Sequence, residues 1–241
     1  MSKSPAWSYS ALTAFETCPH RYYQTKIAKA VIEPQTEATL WGSRVHKAFE
    51  NRIKDGTPIS KELAQYNPIA DKLVAACAGK KFATEQKLAL NEHFLATTFF
   101  AKDVWLRSIL DLIIENKDKA LVIDLKTGKK NPESAQLQLF AGVIFAIKPW
   151  IKTVSTAFLW LKTNEVTREE FTREDVPHIW QTFLPRVQRL NDAFAQQKFP
   201  KRPSGLCRAW CPIKTCEFNG GYRGEKVQAR DGDDSDVVRM A

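Results

Sequence analysis

The sequence predicts an α/β fold in which a mixed sheet is covered by helices, and two observations carry that expectation. Runs with strand character crowd the middle of the chain at 82–90, 104–114 and 120–125, joined by polar turns such as Glu115-Asn116-Lys117-Asp118. A strongly apolar helical stretch and a fourth strand-like run follow, while helical periodicity dominates both flanks.

In chain order, Tyr9, Leu12 and Phe15 recur at helical spacing behind Ser8, a cap residue, and Pro19 interrupts them. A second short helix is expected through Arg21, Tyr22, Tyr23 and Ile27. Leu40, Trp41, Val45, Ala48, Phe49 and Ile53 describe an amphipathic helix that ends before Asp55-Gly56-Thr57-Pro58 and carries His46. A further helix is expected from Lys61 to Ala78, closed by Gly79. After the three strands, Pro132 suits a first helical turn, and Ala135 to Ile147 is apolar enough to be buried all round. Thr153 to Leu161 is the fourth strand. Glu174 to Gln197 forms a long helix with Ile179, Phe183, Val187, Leu190 and Phe194 on one stripe, broken or kinked near Pro185.

At 241 residues and 44% hydrophobic content the chain can bury a substantial core as one domain, taken as residues 1–220, with the core at about 80–162 and a cysteine-rich segment at 200–219. Residues 221–241 have few apolar side chains and an Asp-rich run at 231–236, so a disordered tail is expected there. No apolar run of eighteen residues occurs, and Met1 to Trp7 lacks a signal-peptide layout, so a cytosolic protein with no membrane partner is expected. The net charge of +9 fits a polyanionic partner such as nucleic acid, although a solvated Lys-rich surface would give the same number.

Two carboxylates each interrupt an apolar strand: Asp111 in Ile109-Leu110-Asp111-Leu112-Ile113, and Asp124 in Val122-Ile123-Asp124-Leu125-Lys126. A buried carboxylate needs a cation, a proton or strong hydrogen bonds, and one shared metal ion would satisfy both. Lys126 lies two residues after Asp124 and so on the same strand face. An oxygen-bound divalent ion, to which the Leu125 carbonyl could contribute, activates water and stabilises phosphate charge, with the ammonium orienting the nucleophile. An Asp124–Lys126 ion pair at a strand end, with Asp111 paired elsewhere, is the other reading of this spacing.

Three of the five cysteines crowd into Cys207-Arg-Ala-Trp-Cys211-Pro-Ile-Lys-Thr-Cys216, a metal-wrapping arrangement that leaves a fourth ligand to be found. Cys77 lies in an Ala-rich helix and reads as a small core residue.

Ile109 to Ile113 followed by Asp124-Leu125-Lys126-Thr127-Gly128 resembles the G-x-x-D … D-x-K-T-G signature of RecB-type nucleases in the PD-(D/E)XK superfamily, with Ser108 at the glycine position. Gly42-Ser43-Arg44-Val45-His46 resembles that branch's G-x-x-x-H motif. Gln136 to Phe140 resembles its Q-x-x-x-Y motif with phenylalanine for tyrosine, and Tyr9-Ser10 … Phe15 … Cys18-Pro19 … Arg21-Tyr22-Tyr23 is similar to its N-terminal segment. The motifs keep family order over residues 8–218.

The resemblance implies a restriction-endonuclease-like core and an Mg²⁺- or Mn²⁺-dependent deoxyribonuclease, an exonuclease on single strands or DNA ends. Asp111, Asp124, His46 and the Leu125 carbonyl would be metal ligands, Lys126 the catalytic lysine, Glu85 an accompanying acid and Gln136 a partner of the lysine or the DNA backbone. Without the family, His46 reads as a hydrogen-bonded core histidine and Glu85 as a solvated strand residue. The resemblance also implies a [4Fe-4S] cluster on Cys18, Cys207, Cys211 and Cys216, with structural Zn²⁺ as the alternative. Arg21, Tyr22, Tyr23 and Arg44 could contact DNA, the tyrosines equally being core residues. No helicase motif occurs, so unwinding would fall to a helicase or recombination partner, in a phage, mobile-element or CRISPR-adaptation setting. The second functional class is a non-catalytic DNA-end or protein-interaction module, against which the intact Asp111, Asp124 and Lys126 argue.

Overall fold

In the computed structural model, which describes residues 4–131 and 134–222, five strands form one mixed sheet in the order β1-β2-β3-β4-β5. β1 (Lys81–Leu90), β2 (Leu106–Asn116) and β3 (Lys119–Lys126) form an antiparallel meander. Helix α5 (Ala135–Ile147) then carries the chain over to β4 (Thr153–Trp160), parallel to β3, and β5 (Glu165–Thr172) closes the sheet antiparallel to β4.

Each sheet face has its own core. On one face α5 packs with α1 (Tyr9–Thr17), α2 (Pro19–Tyr22) and α6 (Val176–Ala195) around Trp7, Leu12, Tyr22, Leu137, Phe158 and Phe183. The other face takes α3 (Glu37–Asp55) and α4 (Asn67–Cys77), through Val45, Phe49, Ile53, Leu73 and Cys77. As its composition requires, α5 is buried over most of its circumference, and Gly142 allows α6 to close on it: a Cβ there would lie 2.9 Å from Ile179 Cγ2. The expected cap of α1 is present, the Ser8 hydroxyl accepting the Ala11 N–H.

Several local expectations need correction. The stretch expected to be one helix from Lys61 starts as a 3₁₀ segment, Lys61–Tyr66, and becomes α-helical with Pro68 in the first turn of α4. The second helix is a single α turn followed by a π-helical turn, Tyr23–Ile27. Helix α6 runs through Pro185 without interruption. β5 was not expected, because Glu165-Val-Thr-Arg-Glu-Glu-Phe-Thr puts polar groups on both faces; it is an edge strand whose hydrogen bonds to β4 need no buried stripe. A short turn, α7 (Leu206–Ala209), lies in the cysteine-rich segment. Pro132 and the tail expectation from residue 223 onward fall outside the described residues. Among the described residues, no helix is long and apolar enough to cross a membrane.

The acidic positions sit where the strand pattern breaks. Alternation should put residues two apart on one face, yet Leu110 belongs to the α5 core and Leu112 to the α3 core. The face therefore switches at Asp111. β1 switches at the same level: Ala83 packs against the same core as Leu88 and Leu90, an odd number of residues away. Between them Glu85 takes a left-handed backbone with φ of 47°. Registered pairs Thr84↔Leu112 and Gln86↔Leu110 bracket Glu85 and Asp111, and the β2–β3 ladder stops at Leu112↔Ile123. Glu85, Asp111 and Asp124 consequently occupy one row across three strands, at a fork between β2 and β3.

Candidate active site

At the fork the Asp111 side chain replaces a missing ladder bond, its Oδ2 accepting the Leu125 N–H at 2.7 Å. Its other oxygen, Oδ1, lies 3.3 Å from Nδ1 of His46. His46 reaches it because α3 comes close to the exit of β3: a Cβ on Gly42, one turn earlier, would stand 3.2 Å from the Thr127 hydroxyl oxygen. Ligand atoms of His46, Glu85 and Asp111 all lie within 4.8 Å of one another, the group among the described residues best placed to hold a metal ion. These side chains line an open cleft of about 1200 Å³ with Trp41, Lys47, Lys87 and Lys162.

Asp124, 6% exposed, is turned toward Lys126 and Gln136. Its Oδ2 is 2.6 Å from the Lys126 ammonium, a close ion pair. Lys126 Nζ donates to Gln136 Oε1 at 2.9 Å, and Gln136 Nε2 donates to Asp124 Oδ1 at 3.3 Å. The ammonium also stands 4.7 Å from the centre of the Phe158 ring. The expectation that Lys126 and Asp124 share a face is thus met by direct contact, with the α5 glutamine closing a triangle.

The electrostatics of the row are those of carboxylates short of positive charge. Burial pushes Asp124 up to about 6, the Lys126 charge pulls it back, and Asp111 raises it again. Burial, then the Asp111 charge, lifts Glu85 above the usual carboxylate range. For His46, burial opposes the charged form, but the Asp111 hydrogen bond and the charges of Asp111, Asp124 and Glu85 outweigh it and raise its pKa. A divalent cation fits this donor set. Carboxylate oxygens suit Mg²⁺ or Mn²⁺, and one imidazole is compatible with Mn²⁺.

The other sequence-derived candidates lie elsewhere. Tyr22 is 3% exposed and packs edge-on against Phe15, so it is a core residue and its expected DNA contact is not available. Tyr23 stacks on Phe199 with ring centres 4.4 Å apart. Arg21 pairs with Glu33 at 2.9 Å in a separate depression, and Arg44 lies over Trp41 while reaching Glu62 at 3.4 Å. Cys77 is buried in the α3-side core, as its Ala-rich surroundings imply.

Cys18 caps α1 beside the C-terminal segment. The His20 N–H donates to the Pro200 carbonyl at 3.2 Å, and the Arg202 side chain donates to the Glu16 carbonyl. Asn219 ties the other cysteines together, its N–H reaching the Cys216 carbonyl and its side-chain amide the Cys211 carbonyl, each at 2.8 Å. The Ser204 N–H points at Cys207 Sγ at 3.4 Å. No three thiols among the described residues have their sulfurs within 4.8 Å of one another.

A family model described as the PD-(D/E)XK nuclease superfamily matches residues 6–216. The chain belongs to that superfamily. Its members are hydrolytic nucleases that use divalent metal ions, and the five-stranded mixed sheet flanked by helices is the restriction-endonuclease-like fold. No curated protein matches the sequence. Among solved structures, a candidate exonuclease from Eubacterium rectale is similar at 13% identity with a TM-score of 0.50, over 92% of this chain and 89% of that one. SSO0001 is similar at 16% identity and a TM-score of 0.40, over 91% and 89% of the two chains. LHK-Exo, in complex with dAMP, has 11% identity and a TM-score of 0.32 over 78% and 95%.

Sequence reasoning placed less weight on Glu85 than the structure does, because a single acid in Ala83-Thr84-Glu85-Gln86-Lys87 looks like a solvated strand position. Nothing local announces its left-handed backbone, and only its register with Asp111 brings it into the row. A ligand that binds only the folded state raises its stability. Mn²⁺ should therefore raise the thermal midpoint of the wild-type chain, reversibly with EDTA, and should leave Asp111→Asn almost unshifted in differential scanning fluorimetry. Equal shifts in both proteins would place the metal elsewhere.

Proposed function

We propose that the chain is a Mg²⁺- or Mn²⁺-dependent deoxyribonuclease of the RecB-like branch, an exonuclease acting on single strands or DNA ends. The observation that carries this reading is the Glu85–Asp111–Asp124 row at the strand fork, with His46 on one side and the Lys126–Gln136 pair on the other. His46, Asp111, Asp124 and the Leu125 carbonyl are the proposed metal ligands, and Glu85 joins them on the evidence of its distances. A divalent ion at this position supplies Lewis-acid polarisation of the phosphate and of an attacking water.

The chain's own groups do the rest. Lys126 presents a fixed ammonium to the water and to the charge that grows on the phosphate oxygens, and Gln136 holds that ammonium by accepting one of its hydrogens. Asp111 keeps its carboxylate aimed into the cleft because the Leu125 N–H pins one of its oxygens. The open cleft, lined by Lys47, Lys87 and Lys162, leaves room for a polynucleotide.

The domain is proposed to span 1–220, with Cys18, Cys207, Cys211 and Cys216 binding a [4Fe-4S] cluster between its first and last segments. Docking of the Cys18 region on residues 200–202 and the backbone N–H aimed at the Cys207 sulfur support this assignment. Such a staple closes a loop of nearly the whole chain and stabilises the fold by restricting the unfolded ensemble.

On labelled single-stranded DNA with Mg²⁺ or Mn²⁺, Asp111→Asn, Asp124→Asn and Lys126→Ala should each lower turnover by at least about 10²-fold, the scale of losing one electrostatic contact to a transition state. Circular dichroism should show all three folded, because each removes charge rather than core volume. Wild-type turnover by any one of them would sink the assignment. Protein purified without oxygen should be brown, with a broad absorbance near about 400 nm that Cys211→Ala removes along with thermal stability. Colourless protein with stoichiometric zinc would replace the iron–sulfur reading by the zinc one.

A further inference from the structure

The segment between β1 and β2 carries two adjacent phenylalanines that the proposed chemistry does not use. Phe100 is 79% exposed, and Phe99 meets it edge-on with ring centres 5.2 Å apart. Lys87 Nζ stands 5.8 Å from both ring centres, and the Arg107 guanidinium lies 5.6 Å from that of Phe99. One exposed and one half-buried aromatic ring, held among two cations, form a surface with a flat apolar part and a phosphate-attracting part.

This surface is built rather than loose. Arg107 Nε donates to the Phe99 carbonyl at 2.8 Å, Thr97 Oγ1 donates to Asp103 at 2.8 Å, and the Asn91 side chain accepts the N–H groups of His93 and Leu95 at 3.0 Å each. The rings are thereby placed before any ligand arrives, which lowers the ordering cost of binding.

Its position relative to the acidic row narrows the ligand. Lys87 pairs with Ile109, two residues along both strands from Glu85 and Asp111, a step of about 7 Å. Lys87 lines the catalytic cleft beside Glu85 and Asp111, while Phe99, Arg107 and Ile109 line a second depression that also contains Gln136. A phosphate held at the row would bring its neighbouring nucleotide onto the two rings. Duplex bases are already stacked on each other and their faces are covered, whereas an unpaired base has a free face for Phe99 and Phe100.

Resting on the nuclease reading, we infer that Phe99 and Phe100, with Lys87 and Arg107, form a stacking platform for an unpaired DNA base next to the phosphate at the acidic row. The platform selects single strands and frayed ends over blunt duplex without reading sequence, because every base presents a π-face.

The test is binding of the full-length protein, with Ca²⁺ in place of Mg²⁺ or Mn²⁺ so that the acidic row is neutralised while cleavage is suppressed, to single-stranded oligonucleotides with 2-aminopurine at successive positions. Wild-type protein should quench the fluorophore at one or two adjacent positions and bind single strands more tightly than blunt duplex. Phe100→Ala, a change at an exposed side chain, should abolish most of the quenching and weaken binding at least about fivefold, the low end of one base-stacking contact. Phe100→Tyr should restore both. With an oligonucleotide that is abasic at the quenched position, wild type and Phe100→Ala should bind alike, since only the stacking partner is missing. Phe99→Ala, at a half-buried ring, should add to the loss if the protein remains folded by circular dichroism. Unchanged quenching and affinity in Phe100→Ala, or equal binding of single strand and duplex by wild type, would overturn the platform. Cleavage is read separately: an inactive wild type that still shows Phe100-dependent quenching refutes the nuclease chemistry and supports the platform. An active wild type indifferent to Phe100 does the reverse.

Discussion

Everything at the site depends on one electrostatic constraint: three carboxylates in one row across the sheet, with too little positive charge within reach to balance them. Asp124 is buried, and the Lys126 ammonium 2.6 Å from its Oδ2 offsets only part of the cost of burying its charge. Glu85 and Asp124 are both pushed toward protonation by burial, and the Asp111 charge adds to the push. A fold selected for stability alone has cheaper solutions, because replacing such groups by apolar ones removes the desolvation penalty. The arrangement makes physical sense as a seat for a divalent cation, and the surroundings are shaped to preserve it. The β2–β3 ladder ends so that Asp111 can reach the Leu125 N–H, Glu85 accepts a left-handed backbone costing on the order of 1 kcal/mol, and Gly42 lets α3 deliver His46.

Much of this was legible in the sequence because burial and alternation leave marks in composition. Asp111 and Asp124 stand out inside apolar strands, and Lys126 follows at the spacing that keeps it on the face of Asp124. Helix α5 announces itself by being apolar on nearly every side. Other features were not legible. β5 carries charges on both faces, so it has no stripe to detect, and its existence depends on the hydrogen bonds β4 offers at the sheet edge. The face switch at Glu85 and Asp111 depends on how two strands twist together, and neither strand reveals it alone. Tyr22 shows the converse problem: polar by name and near a basic residue, it is nevertheless packed under α1, where its ring fills the core.

The sheet also explains why chemistry and substrate recognition can be separate. The ends of β1 and β2 extend past the acidic row and carry Lys87 and Arg107, and the 91–105 connection between them carries the two phenylalanines. The proposed metal seat and the proposed stacking surface would then lie a few residues apart, the first on the strands and the second on the connection that joins them. The cysteine-rich segment docks against the end of α1 and the chain that follows it, and none of its residues lines the cleft.

The claim that the strand fork is a metal seat is tested most directly by locating the ion. A crystal of the wild-type protein soaked in Mn²⁺ and measured near the manganese absorption edge should give one dominant anomalous peak among Glu85, Asp111, Asp124 and His46. The peak should vanish in Asp111→Asn. Absence of a peak there in the wild type, with manganese bound at another place or not at all, would contradict the account.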